Sequence, residues 1–410
     1  MIASTLPGQS PASHRTASAD GFLPDRLARV DTFLQTYVDS NRIAGAVALV
    51  LKDGRVVYER AVGWADKEGQ RRMTPDAMFR IASQSKALTS IAIMMLVEEG
   101  KIALNNPVSR FIPAYARTTV ATRGDTGRVI TPANHAITIK ELLTHTAGIS
   151  YGRDTLVAPL YTALGLGASA GFGWYTADKD EPICTTMERL ATLPFVRQPG
   201  EAFVYGYNTD ILGCVVERVS GMSLDEFIRK RITGPLGMSD TYFFVPESKA
   251  ERLVAVYDMD ASNHAVRAPE GPRGQGHYLK GPRRSYSGGA GLVSTARDFS
   301  RLLQMLLNRG QLDGVRLLSP KTVDVMTTNQ VGSLYGQGVG FGLGFSVVQW
   351  PGADNTLLSE GTFGWGGAYG SEYRVDPKER IVLVFMMNEI PGRPDIGQKF
   401  PTMIYQALAR

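Results

Sequence analysis

Arg80-Ile81-Ala82-Ser83-Gln84-Ser85-Lys86-Ala87-Leu88 is the stretch on which the reading of this chain turns. It reads as the opening of a helix that runs to about Glu99. Residues three apart share one helix face, so Ser83 and Lys86 stand a turn apart with the amine near the hydroxyl. A serine hydroxyl is a weak nucleophile until its proton has somewhere to go, and a desolvated lysine can help. The positive end of a helix also favours an oxyanion forming beside Ser83. Downstream, Ala87, Leu88, Ile91, Met94, Met95 and Leu96 spread apolar surface over most of the circumference, which predicts a buried helix. Ser83 is the only serine in the chain followed by lysine at the third position. Taken alone, the motif fits a surface helix start with a solvated lysine equally well, and the rest of the chain has to decide.

Outward from that stretch, 410 residues with 43% apolar and 20% charged content describe a globular chain of one large or two interleaved domains. The net charge of +5 is spread along the sequence, so nucleic acid is not an expected partner. Cys184 and Cys214 lie in no Cys-x-x-Cys spacing, and no disulfide framework is expected from two cysteines. The histidines at 14, 135, 145, 264 and 277 form no metal-binding pattern, so neither metal nor cofactor is expected. Residues 1–21 lack a long apolar core and read as a flexible extension. The run Ile91 to Val97 is far shorter than the ~20 residues of a membrane span. The expected location is cytoplasmic, with no membrane partner, and oligomeric state is not legible.

Helical spacing of Leu27, Val30, Phe33, Leu34 and Val38 predicts a helix over 24–41. Strands are expected at about 45–52 and 55–63, joined by the hairpin dipeptide Asp53-Gly54. Residues 137–146 read as an amphipathic helix ended by Gly148. Residues 151–183, rich in glycine and aromatics and including Tyr175, read as a lid-like insertion. Further helices are expected at 187–192, 210–220, 223–233 and 294–310, with an exposed loop at 260–284. The last third turns strand-like at 344–350, 368–375 and 380–388, and 401–409 closes the chain as a helix. Strands at both ends and helices between predict an α/β (α+β) fold. In it, 22–80 and 286–410 build one domain and 81–285 a mostly helical one.

A second serine competes for the role of nucleophile. Ser150, in Gly148-Ile149-Ser150-Tyr151-Gly152, fits the Gly-x-Ser-x-Gly elbow. That elbow needs a strand before the serine and a helix after it, whereas a helical stretch precedes Ser150 and a loop follows. If Ser83 is the nucleophile, Tyr205 in Phe203-Val204-Tyr205-Gly206-Tyr207-Asn208 is a credible base, because a nearby ammonium favours the phenolate. The glycines of Gly364-Trp365-Gly366-Gly367-Ala368-Tyr369-Gly370 let backbone approach a ligand closely. An exposed Ala368 amide there could pair with that of Ser83 as two oxyanion donors.

Three elements in this order, Ser83-x-x-Lys86, Tyr205 in Tyr-Gly-Tyr-Asn and Trp365-Gly366-Gly367, resemble the serine β-lactamase-like hydrolases. The likeness is greatest to family VIII carboxylesterases, which are similar to class C β-lactamases and D-alanyl-D-alanine peptidases. Supporting stretches are Leu142-Leu143-Thr144-His145-Thr146-Ala147-Gly148, Gly234-Pro235-Leu236-Gly237-Met238 and Ser287-Gly288-Gly289-Ala290-Gly291-Leu292. The resemblance implies an antiparallel sheet flanked by helices, an inserted helical domain and a site in the cleft between. It casts Ser83 as acylated nucleophile, Lys86 as its proton partner, Tyr205 as general base, and the Ser83 and Ala368 amides as the oxyanion hole. Tyr207, Asn208, Trp365, Gly366, Gly367 and Tyr175 become expected substrate-binding residues, and His145 a structural one. The sequence departs from the β-lactamase pattern at two places. Asn208 falls one position late for Tyr-x-Asn, and Trp365 stands where Lys-Thr-Gly carries its lysine, which favours neutral esters over β-lactam carboxylates. The expected function is a carboxylesterase acting on short to medium acyl chains through an acyl-enzyme. Acyl transfer by the same intermediate, or a β-lactamase or D-amino-acid peptidase activity, are the alternatives.

Overall fold

The computed structural model describes residues 21–125, 127–167 and 176–409. The expectations for the N-terminal extension (Gly21 apart) and for Tyr175 lie outside these. Eight strands form the main sheet: β1 (Gly45–Lys52), β2 (Arg55–Asp66), β3 (Arg71–Arg72), β4 (Val339–Phe341), β5 (Ser346–Val348), β6 (Phe363–Gly366), β7 (Glu372–Asp376) and β8 (Ile381–Met386). Their spatial order is β4-β5-β6-β7-β8-β1-β2-β3, and all neighbours run antiparallel. Both chain ends therefore meet at the β8–β1 pair, where Leu49 faces Val384 and Val47 faces Met386. Asp53 and Gly54 both take positive φ at the β1–β2 turn, the backbone that an Asp-Gly hairpin selects.

Alternation along the central strands feeds two cores. Val47, Leu49 and Leu51 of β1 and Val382, Val384 and Met386 of β8 point to one face. There they meet helix α2 (Ser85–Glu98), beyond it α3 (Asn208–Ser220), and α4 (Ala296–Leu307). Ala46, Ala48 and Val50 with Ile381, Leu383 and Phe385 point to the other face. That face is covered by α1 (Pro24–Asp39) and α5 (Pro394–Tyr405), the first and last helices. Every residue of α2 from Ser85 to Leu96 is buried, as its all-round apolar character requires. The helices and short hairpins between β3 and β4 complete the inserted part, giving the α/β fold with an antiparallel sheet flanked by helices.

Several local expectations need correction. The glycine-rich stretch is itself a strand, β6, because its pairing to β5 and β7 outweighs the weak strand preference of its glycines. A hairpin at Thr119–Gly124 and Gly127–Pro132 carries no strong turn dipeptide and was not expected. Within 260–284, Ala265–Arg267 pairs with Tyr257–Met259 as a short ribbon. The last helix begins at Pro394 and keeps Pro401 inside it. Cys184 and Cys214, given no partner by their spacing, form a disulfide that ties the helix Ile183–Leu190 to α3. Among the described residues, no helix is long and apolar enough to cross a membrane.

Candidate active site

Ser83 sits in a single 3-10 turn, Ala82–Gln84, that leads directly into α2. Ala82 beside it holds φ of +42°, a left-handed backbone that L-residues rarely adopt and that the surrounding packing has to enforce. Gly367 explains part of that enforcement. A Cβ there would lie 2.5 Å from the Ile81 carbonyl oxygen, so only glycine lets the end of β6 close on the Ser83 turn. Neither the Ser83 nor the Ala368 amide has a backbone acceptor among the described residues. Both residues line one cavity of about 590 Å³, together with Tyr151, Arg153, Tyr205, Tyr335, Ser346, Trp365, Gly366, Gly367 and Arg374.

Lys86 is almost wholly buried. Its ammonium donates to the Gly289 carbonyl at 2.8 Å, to the Tyr151 hydroxyl at 3.1 Å and to Ser83 Oγ at 3.3 Å. It also lies 4.6 Å from the centroid of the Tyr205 ring. A buried carboxylate stands behind this arrangement. Asp210 Oδ1 accepts from Ser287 Oγ at 2.5 Å and from the Gly289 amide at 3.2 Å, fixing the peptide that holds Lys86. Burial pushes the Asp210 carboxyl up, and Lys86 opposes that shift.

The structure thus brings Ser83, Lys86 and Tyr205 to one cleft, with a difference in detail. Tyr205 Oη makes no hydrogen bond to Ser83 or Lys86 among the described residues. It accepts instead from the Trp365 indole N–H at 3.0 Å. Tyr151 takes the Lys86 bond, a pairing across 65 positions that no local sequence pattern signals. Ser150 also lines the cavity, but its Oγ accepts from the Gly152 amide at 3.1 Å and no strand-to-helix elbow surrounds it.

Two expected substrate-binding residues stand behind the cleft instead of in it. Asn208 is fully buried, with its amide donating to His145 Nδ1 at 2.9 Å and to the carbonyls of Ile149 and Val204. Tyr207 is buried too, its hydroxyl accepting from the Gly167 amide at 3.3 Å. Both follow Tyr205 on the approach to α3, where successive side chains point in different directions and only one can face the cleft. His145 is buried, and desolvation with Lys86 nearby holds it well below the usual imidazole range. It is neutral and braces the Tyr205 segment through Asn208. Trp365, Gly366 and Gly367 do line the cavity. The cleft is also not short of cations despite Trp365, since Arg374 and Arg153 reach it from β7 and from the loop after Ser150.

Residues 30–401 match the sequence profile of the family described as Beta-lactamase. The chain belongs to that family. Among its relatives, esterase EstB of Burkholderia gladioli is 33% identical over 88% of this chain and 90% of its own. Lovastatin esterase of Penicillium rubens is 32% identical over 74% of this chain and 73% of its own. The solved structure of EstCE1, described as a hydrolase with promiscuous acyltransferase activity, superposes with a TM-score of 0.76 at 29% identity. It covers 94% of this chain and 99% of that one. The protein is a serine-hydrolase-type enzyme of the β-lactamase and penicillin-binding-protein superfamily, related to family VIII esterases.

Proposed function

We propose that this enzyme moves acyl groups from carboxylic esters through an acyl-enzyme on Ser83, with an alcohol and water competing as acceptors. The observation that carries the reading is the buried Lys86 ammonium, 3.3 Å from Ser83 Oγ and 4.6 Å from the Tyr205 ring, beside a cavity lined by Ser83 and Ala368, whose amides have no backbone acceptor among the described residues. Tyr205, as phenolate, takes the Ser83 proton while Oγ attacks the ester carbonyl. The tetrahedral oxyanion rests on the Ser83 and Ala368 amides. Collapse breaks the bond to the alcohol, which leaves with the proton returned from Tyr205. An incoming alcohol or water then gives its proton to Tyr205 and attacks the acyl carbon, and Ser83 Oγ leaves with that proton returned from Tyr205, which restores the phenolate.

Transfer is placed beside hydrolysis for two reasons. The cleft wall of Tyr205, Tyr335 and Trp365, backed by Phe203 and Phe341, offers the carbon chain of an alcohol an aromatic surface beside the polar lining of Arg153, Asp154, Ser346 and Arg374. EstCE1 is described as having both activities. Turnover of β-lactams is expected to be slight, because Trp365 fills the place of the family's carboxylate-binding lysine and the cations that do reach the cleft, Arg153 and Arg374, come from other elements. The test supplies p-nitrophenyl butyrate with and without a primary alcohol and separates new ester from free acid, after a fluorophosphonate probe has been mapped to its peptide. Label on Ser83 with ester formed in proportion to alcohol is expected. Label on Ser150, or no label at all, overturns the reading. Free acid alone leaves hydrolysis and removes transfer.

A further inference from the structure

A second cavity of about 590 Å³ opens beside the segment that leads into Ser83, and it shares no lining residue with the catalytic cleft. Its walls come from the end of β2, from β3, and from residues 250–255 and 267–280. Arg80, three residues before Ser83, forms part of the lining and is nearly inaccessible. Its Nε donates to the Gln275 carbonyl at 2.8 Å and a terminal nitrogen donates to the Val254 carbonyl. Arg80 Cζ stands 5.3 Å from the centroid of the Tyr278 ring. Tyr278 in turn packs in one apolar cluster with Ala82, Ala368 and Tyr369. The lining therefore continues into the packing behind the Ser83 turn and the Ala368 segment.

Cations that only brace a fold are matched by carboxylates. Arg267 is largely matched, lying 3.2 Å from Asp66 and 3.4 Å from Glu270. Its Nη1 is nevertheless buried without a hydrogen bond among the described residues, which leaves a donor to spare. Arg71 has no ion-pair partner among the described residues, and its guanidinium donates to the Leu253 carbonyl at 2.8 Å. Burial pulls the Arg71 guanidinium below its ordinary range, against the opposing pull of Asp66 and Glu251. Arg71, Arg80, Arg267 and Lys280, set against Asp66, Glu251 and Glu270, leave one positive charge in excess. Between these groups Leu253, Tyr278 and Leu279 supply apolar wall.

We propose that this cavity is a binding site for a small organic carboxylate, its charge held by Arg71 and Arg267 and its apolar chain laid against Leu253, Tyr278 and Leu279. A guanidinium fork matches a carboxylate through two parallel N–H···O bonds. A single negative charge cancels the excess, whereas a phosphate dianion exceeds it beside Asp66 and Glu251. An uncharged ligand leaves Arg71 without a counter-charge. The site takes no part in the chemistry at Ser83, so it stands or falls independently of the acyl-enzyme.

Calorimetric titration of the purified enzyme with sodium octanoate is the test, and a saturable site is the expected result. Arg71→Gln is expected to weaken it about tenfold, with the thermal midpoint and p-nitrophenyl butyrate turnover little changed. Lys280 is exposed, so Lys280→Gln folds as the parent does and is expected to weaken binding about threefold. It keeps the test open should Arg71→Gln fail to fold. Arg374→Gln removes a cation from the catalytic cleft and is expected to leave octanoate binding as it was. Octanamide, with the same chain and no charge, is expected to bind about tenfold more weakly. No binding, binding lost in Arg374→Gln and kept in Arg71→Gln, or octanamide held as tightly as octanoate overturns the proposal. Inorganic phosphate displacing octanoate at equal concentration overturns the choice of a carboxylate.

Discussion

Glu389 shows how one buried side chain can shape the stability of the whole chain. It lies 3.2 Å from Arg393, both nearly inaccessible, and its Oε2 has no partner among the described residues. Burial pushes the carboxyl up to about 7 from an ordinary 4.5, against the pull of Arg393. The folded chain therefore holds a proton that the unfolded chain releases across that window. This contribution to stability is present below pH 4.5 and is lost as pH rises toward 7. Glu389→Gln removes the titration. Its stability relative to the parent is expected to rise with pH between 4.5 and 7, by up to about 1.4 kcal/mol per unit. Urea midpoints of the two proteins at several pH values check this, and parallel curves would rule it out. At this same scale, residue type and order pointed to Ser83, Lys86 and Tyr205, and the structure brings the three to one cleft. Asn208 and Tyr207 were not correctly placed, because which side chain of a turn faces a cleft depends on what the turn packs against.

The element that bears most on the proposed mechanism is β6 where it meets the Ser83 turn. Gly366 pairs with Glu372 of β7, so the position of Gly367 and Ala368 is set by sheet register. Gly367→Ala drives a methyl to 2.5 Å from the Ile81 carbonyl, and one of the two segments has to yield. A displacement near 1 Å of the Ala368 amide is expected to cost about 100-fold in kcat. The sheet keeps its other pairings, so the thermal midpoint should change far less than activity. Single-turnover acylation measured beside a melting curve separates the two, and full activity would show that the approach is not limiting. Helix α2 could be read from its own composition, since an all-round apolar helix has nowhere to sit but a core. Strand β6 could not, because glycine and tryptophan become a strand only when two neighbours offer a ladder.

Across the whole molecule, the sheet is shut on its far side by the chain's first and last helices. Phe400 of α5 is 2% exposed and its ring packs tilted against that of Phe385 of β8, centroids 5.2 Å apart, and the other face of β8 packs against α4. Phe400→Ala is expected to cost about 3–5 kcal/mol. Because β8 is shared, loss of enzyme activity should track global unfolding in urea and not precede it; activity lost well before the fold would mean that the two faces are uncoupled. What the sequence by itself determined was the chemistry available and its order along the chain: a hydroxyl and an amine one helical turn apart, a phenol, then a glycine-rich edge. Spacing along a helix or a turn is a local property, and side-chain type carries its own reactivity. Only the tertiary structure decided the pairings among those groups, giving Lys86 to Tyr151 and Tyr205 to Trp365, and bringing Asp210 up behind the lysine. Those contacts join residues from about 65 to 160 positions apart. They are set by how the two cores close on either side of one sheet, and no local pattern encodes that distance.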